Sequence, residues 1–382
     1  MSTSRINVAI IGVGLVGSEV ISQLVTAANL KKTFAIVALQ NSKKTLLIDP
    51  KSDGANALSD WKTKLTNSSQ SALPLPELTS HLAKLGNHTV VVDNTSNDDV
   101  ASFYPNFLKA GLSVVTPNKK AFSSSLELYK QILQAAATPS TSTGKTPLLY
   151  GESTVGAGLP ILSTLKDIVE TGDEVVKIEG ILSGTLSYIF NEWSTPKGST
   201  KKFSDIVKIA KEQGYTEPHP GDDLSGSDVA RKLAILSRLI PSLRDELPQG
   251  YQSVATRSLT PAPLADVKDG QEFVDKLPQF DADFDALNSE AQKNGNVLRY
   301  VGVIDVQKKE IKASLEQYPA THPFATSLQD STSTVAFTTK RFNKFPMSVT
   351  GAGAGAAVTA HGVISDLIKV AERRSTESDR PL

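Results

Sequence analysis

The sequence predicts an α/β protein whose first part is a parallel sheet wound with helices and whose second part is α+β. Three observations carry that prediction. Unbroken apolar strands at 7–11, 34–39, 90–92 and 112–115 alternate with helical segments, the pattern of a sheet covered on both faces. The run Gly12-Val13-Gly14-Leu15-Val16-Gly17 stands between the first strand and a helix at 18–25. Farther on, segments 297–306, 311–318 and 335–341 alternate or are β-rich and read as an antiparallel sheet. A chain of 382 residues exceeds one small core, so two domains are expected. Residues 1–150 with 350–382 form one, and 151–349 the other.

The totals exclude several classes. Forty basic side chains balance forty acidic ones, which argues against a generic binder of nucleic acid or anionic membrane. No apolar run approaches the roughly 20 residues of a membrane span. A strand begins by Ile6, leaving no room for a signal peptide, so a cytoplasmic protein is expected. With no cysteine, thiolate nucleophiles and cysteine-ligated metals are ruled out, and five scattered histidines give no paired metal spacing.

Strand, GxGxxG and helix in immediate succession are the context that a dinucleotide fingerprint requires. Gly12 permits the tight turn, Gly14 lets pyrophosphate approach the backbone, and Gly17 packs the helix on the strand. The phosphates then meet the positive end of that helix. After the second strand an NAD site usually offers Asp or Glu to the ribose 2′-hydroxyl. Here Gln40, Asn41 and Ser42 precede Lys43 and Lys44, which favours NADPH, with NADH a weaker alternative. The alternative is that these lysines are ordinary surface charges. Asn94, Thr95 and Ser96 end the next strand and lie over the cofactor crevice. Lys119, in Thr116-Pro117-Asn118-Lys119-Lys120, ends another, and is either a site lysine or a surface one.

Glu152 opens a glycine-rich turn that runs to Pro160 and precedes a helix at 161–169. Such a turn gathers a carboxylate and carbonyls around a cation, or is merely a turn. A strand at 175–182 leads through Ser183-Gly184-Thr185 into a helix at 186–193. The stretch from Gly214 to Lys232 then concentrates the acids. Two prolines and two internal glycines predict no helix before Gly226, with Glu217, His219, Asp222 and Asp223 among them. Ser225 followed by Asp228 reads as a capping signal for the next helix. Asp228 and Lys232, four apart, share a face that continues into Ile235 and Leu239. A lysine at the edge of an apolar wall, one turn from a carboxylate, suits proton transfer; the alternative is a solvated ion pair. Gly351 to Ala357 follows a strand at 347–350 and opens a final helix at 358–371. That run either mimics a second fingerprint or lets the helix approach the first domain closely. Residues 372–382 are a charged tail expected to lack order.

These motifs together resemble homoserine dehydrogenase in its short form without an attached aspartokinase, as in fungi. They are the GxGxxG run, Thr116 to Ala121, Glu152 to Pro160, Ser183 to Thr185, Gly214 to Pro218, Asp222 to Lys232 and Gly351 to Ala357. The resemblance implies interconversion of L-aspartate 4-semialdehyde and L-homoserine with NAD(P)H. It implies a Rossmann-like domain, a dimerisation and catalytic region, and a last helix that returns to the first domain, in a homodimer. Lys119 and Lys232 are then the catalytic lysines, with Asp228 beside Lys232. Glu217 and Asp223 hold the substrate amino group, Gly184 and Thr185 line the pocket, and Gly353 joins the cofactor-binding residues. Glu152, with main-chain oxygens of Val155, Ala157 and Leu159, resembles the family's sodium site. His219 departs from the resemblance, since an acid is expected there.

Two rivals are distinguishable. Aspartate-semialdehyde dehydrogenase forms an acyl-enzyme through cysteine, which this chain lacks. A silent NADPH-sensing regulator keeps the fingerprint but has no need of Asp228 and Lys232 together.

Overall fold

The computed structural model describes residues 5–50, 58, 60–141, 143–327 and 331–374. The chain divides into two compact units, Met1–Gly158 with Gly355–Leu382, and Leu159–Ala354.

The first unit is built on β1 (Ile6–Ile11), β2 (Phe34–Gln40), β3 (Thr45–Leu47), β4 (Thr89–Asp93), β5 (Ser113–Val115) and β6 (Leu149–Tyr150). The spatial order is β3-β2-β1-β4-β5-β6, parallel except for β3 against β2. Every residue of β1 and β2 is buried, which is why these segments read as apolar without alternation. From β1 the chain passes to β2 on one side and later to β4 on the other. A crevice therefore opens at the carboxyl ends of β1 and β4, the switch point of the sheet.

Helix α1 (Leu15–Thr26) starts three residues earlier than the expected Ser18. The C-terminal helix Ala356–Arg374 packs against α1 and adds Val363, Leu367 and Val370 to a core that includes Ile10, Val20 and Leu24. Each such side chain contributes about 1.5–3 kcal/mol when fully buried. The helix begins two residues earlier and ends three residues later than the expected 358–371. Gly351 and Ala352 complete a strand rather than open the helix, because small residues tolerate an edge strand and the turn after it. Residues 372–374, expected to be tail, are helical; Arg373 and Arg374 favour the negative end of the helix dipole. The rest of that tail, 375–382, lies outside the described residues. Close approach does occur on this helix, but at Gly362. A Cβ there would fall 2.2 Å from Ser153 Oγ and 2.6 Å from the Ala157 carbonyl oxygen.

The second unit holds β7 (Val175–Ile181), β8 (Ala255–Thr256), β9 (Asn296–Asp305), β10 (Glu310–Pro319), β11 (Thr332–Thr339) and β12 (Met347–Ala352). Their order is β12-β11-β7-β9-β10-β8, antiparallel apart from β8 along β10. The three strands expected in this sheet are β9, β10 and β11, and β7 is inserted between β11 and β9. Helices α4 (Ile161–Glu170), α5 (Gly184–Trp193), α6 (Phe203–Glu212), α7 (Pro220–Leu224) and α8 (Ser227–Leu239) accompany it. Trp193 on α5 meets Phe203 on α6 edge-on at 5.0 Å, and Phe203 stacks on Phe284 at 3.9 Å.

Helix α7 corrects the expectation of no helix before Gly226. Pro220 sits at the first helical position, where its missing N–H costs nothing, and His219 Nδ1 accepts from the Gly221 N–H at 3.1 Å. His322-Pro323 repeats the device, with His322 Nδ1 accepting from the Phe324 N–H at 3.1 Å. Ser225 is likewise not the cap of α8. It ends α7, and Gly226 at φ 75° leads into α8 instead. A Cβ on Gly226 would lie 1.9 Å from the Tyr300 hydroxyl oxygen, so the left-handed turn is closed to other residues.

Candidate active site

In the first unit the crevice is a cavity of about 440 Å³ whose lining includes Gly12, Gln40, Asn41, Ser42, Thr95 and Ser96. Gly12 has φ +87°, and a Cβ there would fall 2.7 Å from Thr95 Cγ2. A Cβ on Gly17 would lie 2.0 Å from the Gly12 carbonyl oxygen, whereas nothing approaches one built on Gly14. The chain is thus tight at the first and third glycines and open at the second, where pyrophosphate needs access. No side chain caps α1, so its N-terminal end is left for a ligand. Both polar atoms of the Asn94 side chain are buried without a hydrogen-bond partner. Orphaned groups of this kind are costly, and a bound dinucleotide can satisfy them. Val13 and Val16 pack partly into the core, and Leu15 is exposed. The residues present fit a dinucleotide.

Among the described residues, the cavity lining holds no carboxylate. Gln40 Nε2 donates to the Leu73 carbonyl at 3.1 Å, and its Oε1 accepts from Thr45 Oγ1 at 2.7 Å. Asn41 Oδ1 accepts the N–H groups of Lys43 and Lys44, both at 2.8 Å. This turn sends Lys44 Nζ to the Ser68 carbonyl at 2.8 Å. Asn41 and Ser42 form the wall, and neither lysine is among the lining residues. Lys119, the residue before helix α3 (Lys120–Ser123), is half-buried beyond β5.

The second unit assembles the acids and Lys232. Lys232 is 7% exposed, with Nζ 2.7 Å from Asp228 Oδ2 and donating to the Leu182 carbonyl at 2.5 Å. Leu182 lies just before Ser183, whose Oγ caps α5 by accepting from the Leu186 N–H at 3.2 Å. Two residues on, Thr185 Oγ1 donates to the Tyr215 carbonyl at 2.6 Å, which ties the start of α5 to the acidic loop. Glu217 is exposed, and its N–H donates to Asp223 Oδ2 at 2.8 Å. Burial pushes the Asp223 carboxyl up to about 6, reinforced by the charges of Glu217 and Asp228 and opposed by the Glu217 N–H and the Thr185 hydroxyl. Thus Gly184, Thr185, Glu217, Asp223, Asp228 and Lys232 lie on connected elements of one unit. His219 holds the loop, with Nε2 3.0 Å from the Val267 carbonyl oxygen. Gly353 follows β12, and a Cβ there would strike Ser333 Oγ at 2.1 Å, a packing reason for the glycine.

The Glu152 turn is buried. Glu152 is 6% exposed, its N–H donates to Asp366 Oδ2 at 2.8 Å, and Lys369 Nζ stands 2.9 Å from Asp366 and 3.3 Å from Glu152. Two carboxylates against one ammonium leave a negative balance when both acids are ionised. Burial raises the Asp366 carboxyl pKa, and the nearby Lys369 opposes that shift. Val155 is fully buried and Ala157 takes φ 56°, an uncommon conformation for a residue with a side chain. Among the described residues no group of three His, Cys, Asp or Glu could hold a metal ion.

A nucleotide crevice at the switch point of a doubly wound sheet is the mark of the NAD(P)-dependent oxidoreductases. Family models agree and go further. One described as homoserine dehydrogenase, NAD binding domain, matches residues 12–142, and one described as homoserine dehydrogenase matches 160–368. The chain belongs to the homoserine dehydrogenase family. The homoserine dehydrogenase of Saccharomyces cerevisiae is 46% identical over 98% of this chain and 100% of its own. A crystal structure of a Candida auris protein of unknown function superposes with a TM-score of 0.87 at 45% identity, covering 97% of this chain and 99% of that one. A hyperthermophilic archaeal homoserine dehydrogenase in complex with NADPH shares the fold at a TM-score of 0.67 and 20% identity, over 98% and 99% of the two chains. Among the described residues no helix is long and apolar enough to cross a membrane.

Proposed function

We propose that this homoserine dehydrogenase reduces L-aspartate 4-semialdehyde with NADPH and that Lys232 supplies the proton. The observation that carries the reading is the Lys232 ammonium, 7% exposed and held by Asp228 and the Leu182 carbonyl. When bound, the reduced nicotinamide supplies the hydride. Lys232 Nζ gives a proton to the alkoxide oxygen, where charge changes most. Lys119 orients the carbonyl or shares that proton. Glu217 and Asp223 bind the substrate ammonium, with Gly184 and Thr185 lining the pocket. Asn94, Thr95, Ser96 and Gly353 belong to the cofactor-binding set. The assembly in this reading is a cytoplasmic homodimer. Removing the α-amino group from the substrate is expected to lower kcat/KM about 10³-fold or more, because it strands the acids built to receive it. Equal kcat/KM for the two aldehydes would contradict the role of Glu217 and Asp223.

NADPH is preferred to NADH in this reading because β2 ends at Gln40 and is followed by Asn41, with no acid among the described lining residues to repel a 2′-phosphate. Asn41→Asp is expected to weaken NADPH and improve NADH. Steady-state kinetics in which the parent prefers NADH would remove this assignment.

Sodium, or another monovalent cation, is held at Glu152 and the carbonyls of Val155, Ala157 and Leu159, and serves order rather than chemistry. The buried acid pair around Lys369 supports this. Glu152→Leu is expected to lower Tm, or impair assembly, before it changes intrinsic turnover. An unchanged Tm in sodium, in sodium-free buffer and in the variant counts against the site.

A further inference from the structure

We propose that Asp93 and Tyr104 are positioning residues for the reaction, forming a buried junction that locks the Asn94–Asn97 turn to the Thr116–Lys119 loop. This rests on the reading that Lys119 acts on the carbonyl. Asp93 ends β4 and Tyr104 opens α2 (Tyr104–Lys109); both are fully buried. The Tyr104 hydroxyl donates to Asp93 Oδ2 at 2.6 Å, the Asn118 Nδ2 donates to the same oxygen at 3.0 Å, and the Thr95 N–H donates to Oδ1 at 2.8 Å. Thr116 Oγ1 donates to the Asp93 carbonyl at 2.7 Å, accepts from the Asn118 N–H at 2.8 Å and lies 2.9 Å from the Tyr104 oxygen.

Each group at the carboxylate is a donor, so the cluster calls for an acceptor with no proton of its own. Burial works against the ionised form and pushes the Asp93 carboxyl up, while hydrogen bonds from Tyr104, Thr95 and Asn118 pull it down. A carboxylate held by neutral donors inside a core is costly, and an apolar residue would fill the space at less expense. What Asp93 gains is geometric. Asn118 is fixed through its N–H and its amide, which also reaches the Asn97 carbonyl at 3.1 Å. Its Oδ1 accepts from the Lys120 N–H at 3.1 Å. Lys119 is therefore flanked on both sides by tethered backbone, and the same carboxylate tethers Thr95 in the wall of the nucleotide cavity. Small displacements of a reacting group are expensive in rate.

Two variants test the junction in the intact protein. Tyr104→Phe removes one hydroxyl, and Asp93→Asn keeps the shape but turns an acceptor into a donor facing donors. Both are expected to lower kcat about tenfold, the scale of a lost hydrogen bond to a buried charge, with KM for either substrate within about threefold. The primary isotope effect from nicotinamide-deuterated NADPH is expected to grow as the chemical step becomes limiting. If Asp93→Asn does not fold, Tyr104→Phe carries the test alone. A parental kcat in Tyr104→Phe, or a lower kcat with an unchanged isotope effect, overturns the proposal. Lys119→Ala separates the two readings. If it retains parental kcat, the role of Lys119 falls and the positioning role with it. If it is impaired while Tyr104→Phe is not, only the positioning role falls.

Discussion

Lys232→Ala is expected to turn over about 10²–10⁴-fold more slowly than the parent, the loss typical of a missing general acid, while binding NADPH almost normally. The large effect follows from placement. Lys232 is nearly removed from solvent, and its ammonium is fixed by one carboxylate and one main-chain oxygen. A buried ammonium on a fixed stem is preorganised, and no flexible surface lysine can take over its position. The variant is expected to fold, because the Asp228 side chain is 46% exposed and water can solvate it once its partner is gone. The alkaline limb of the kcat profile should disappear with Lys232 and persist in Lys119→Ala, which loses rate by a different route. If the limb vanishes with Lys119 and survives without Lys232, the two roles are reversed.

Asp223 gives the second large effect, with opposite signs for activity and stability. Its carboxyl is raised from 3.8 to about 6, chiefly by burial. Only the ionised form attracts the substrate ammonium, so KM for the semialdehyde is expected to fall as pH rises through about 6. Stability runs the other way. Between about 4 and 6 the native state keeps a proton that the unfolded chain has released, so the free energy of unfolding falls as pH rises through that window. Asp223→Asn removes both dependences. Its KM is expected to rise about tenfold or more at neutral pH, the scale of a lost charged hydrogen bond, and its Tm there to exceed the parent's. The two pH series, KM and Tm, check the pair of signs. A parental Tm that rises through the same window, or a KM indifferent to it, removes the account of Asp223.

How far the sequence carried depends on how local each feature is. The β1 strand, Gly12 to Gly17 and α1 are contiguous, and their pattern is set by burial of β1 and by backbone contacts within a few residues. Asp228 and Lys232 are one helical turn apart, so their ion pair was visible as a spacing. Helix α7 is not, because a proline between acids signals a break, whereas His219-Pro220 makes a cap and a first turn. The recurrence at His322-Pro323 shows that the dipeptide itself was the missed signal. Lys44 looked available to a phosphate because charge is readable in sequence. The Asn41 turn that delivers its ammonium to Ser68 is a hydrogen-bonding outcome. The place of β7 between β11 and β9, and the meeting of Asp93, Tyr104 and Asn118, join residues far apart in the chain. No periodicity records such pairings.

The most direct test is stoichiometric turnover by the purified chain given NADPH and L-aspartate 4-semialdehyde. Loss of reduced-nicotinamide absorbance should be matched one for one by L-homoserine, and should fall with Lys232→Ala to the extent given above. Tight NADPH binding with no oxidation of it in the presence of the semialdehyde would contradict the account, and would point to a protein that senses the nucleotide without using it.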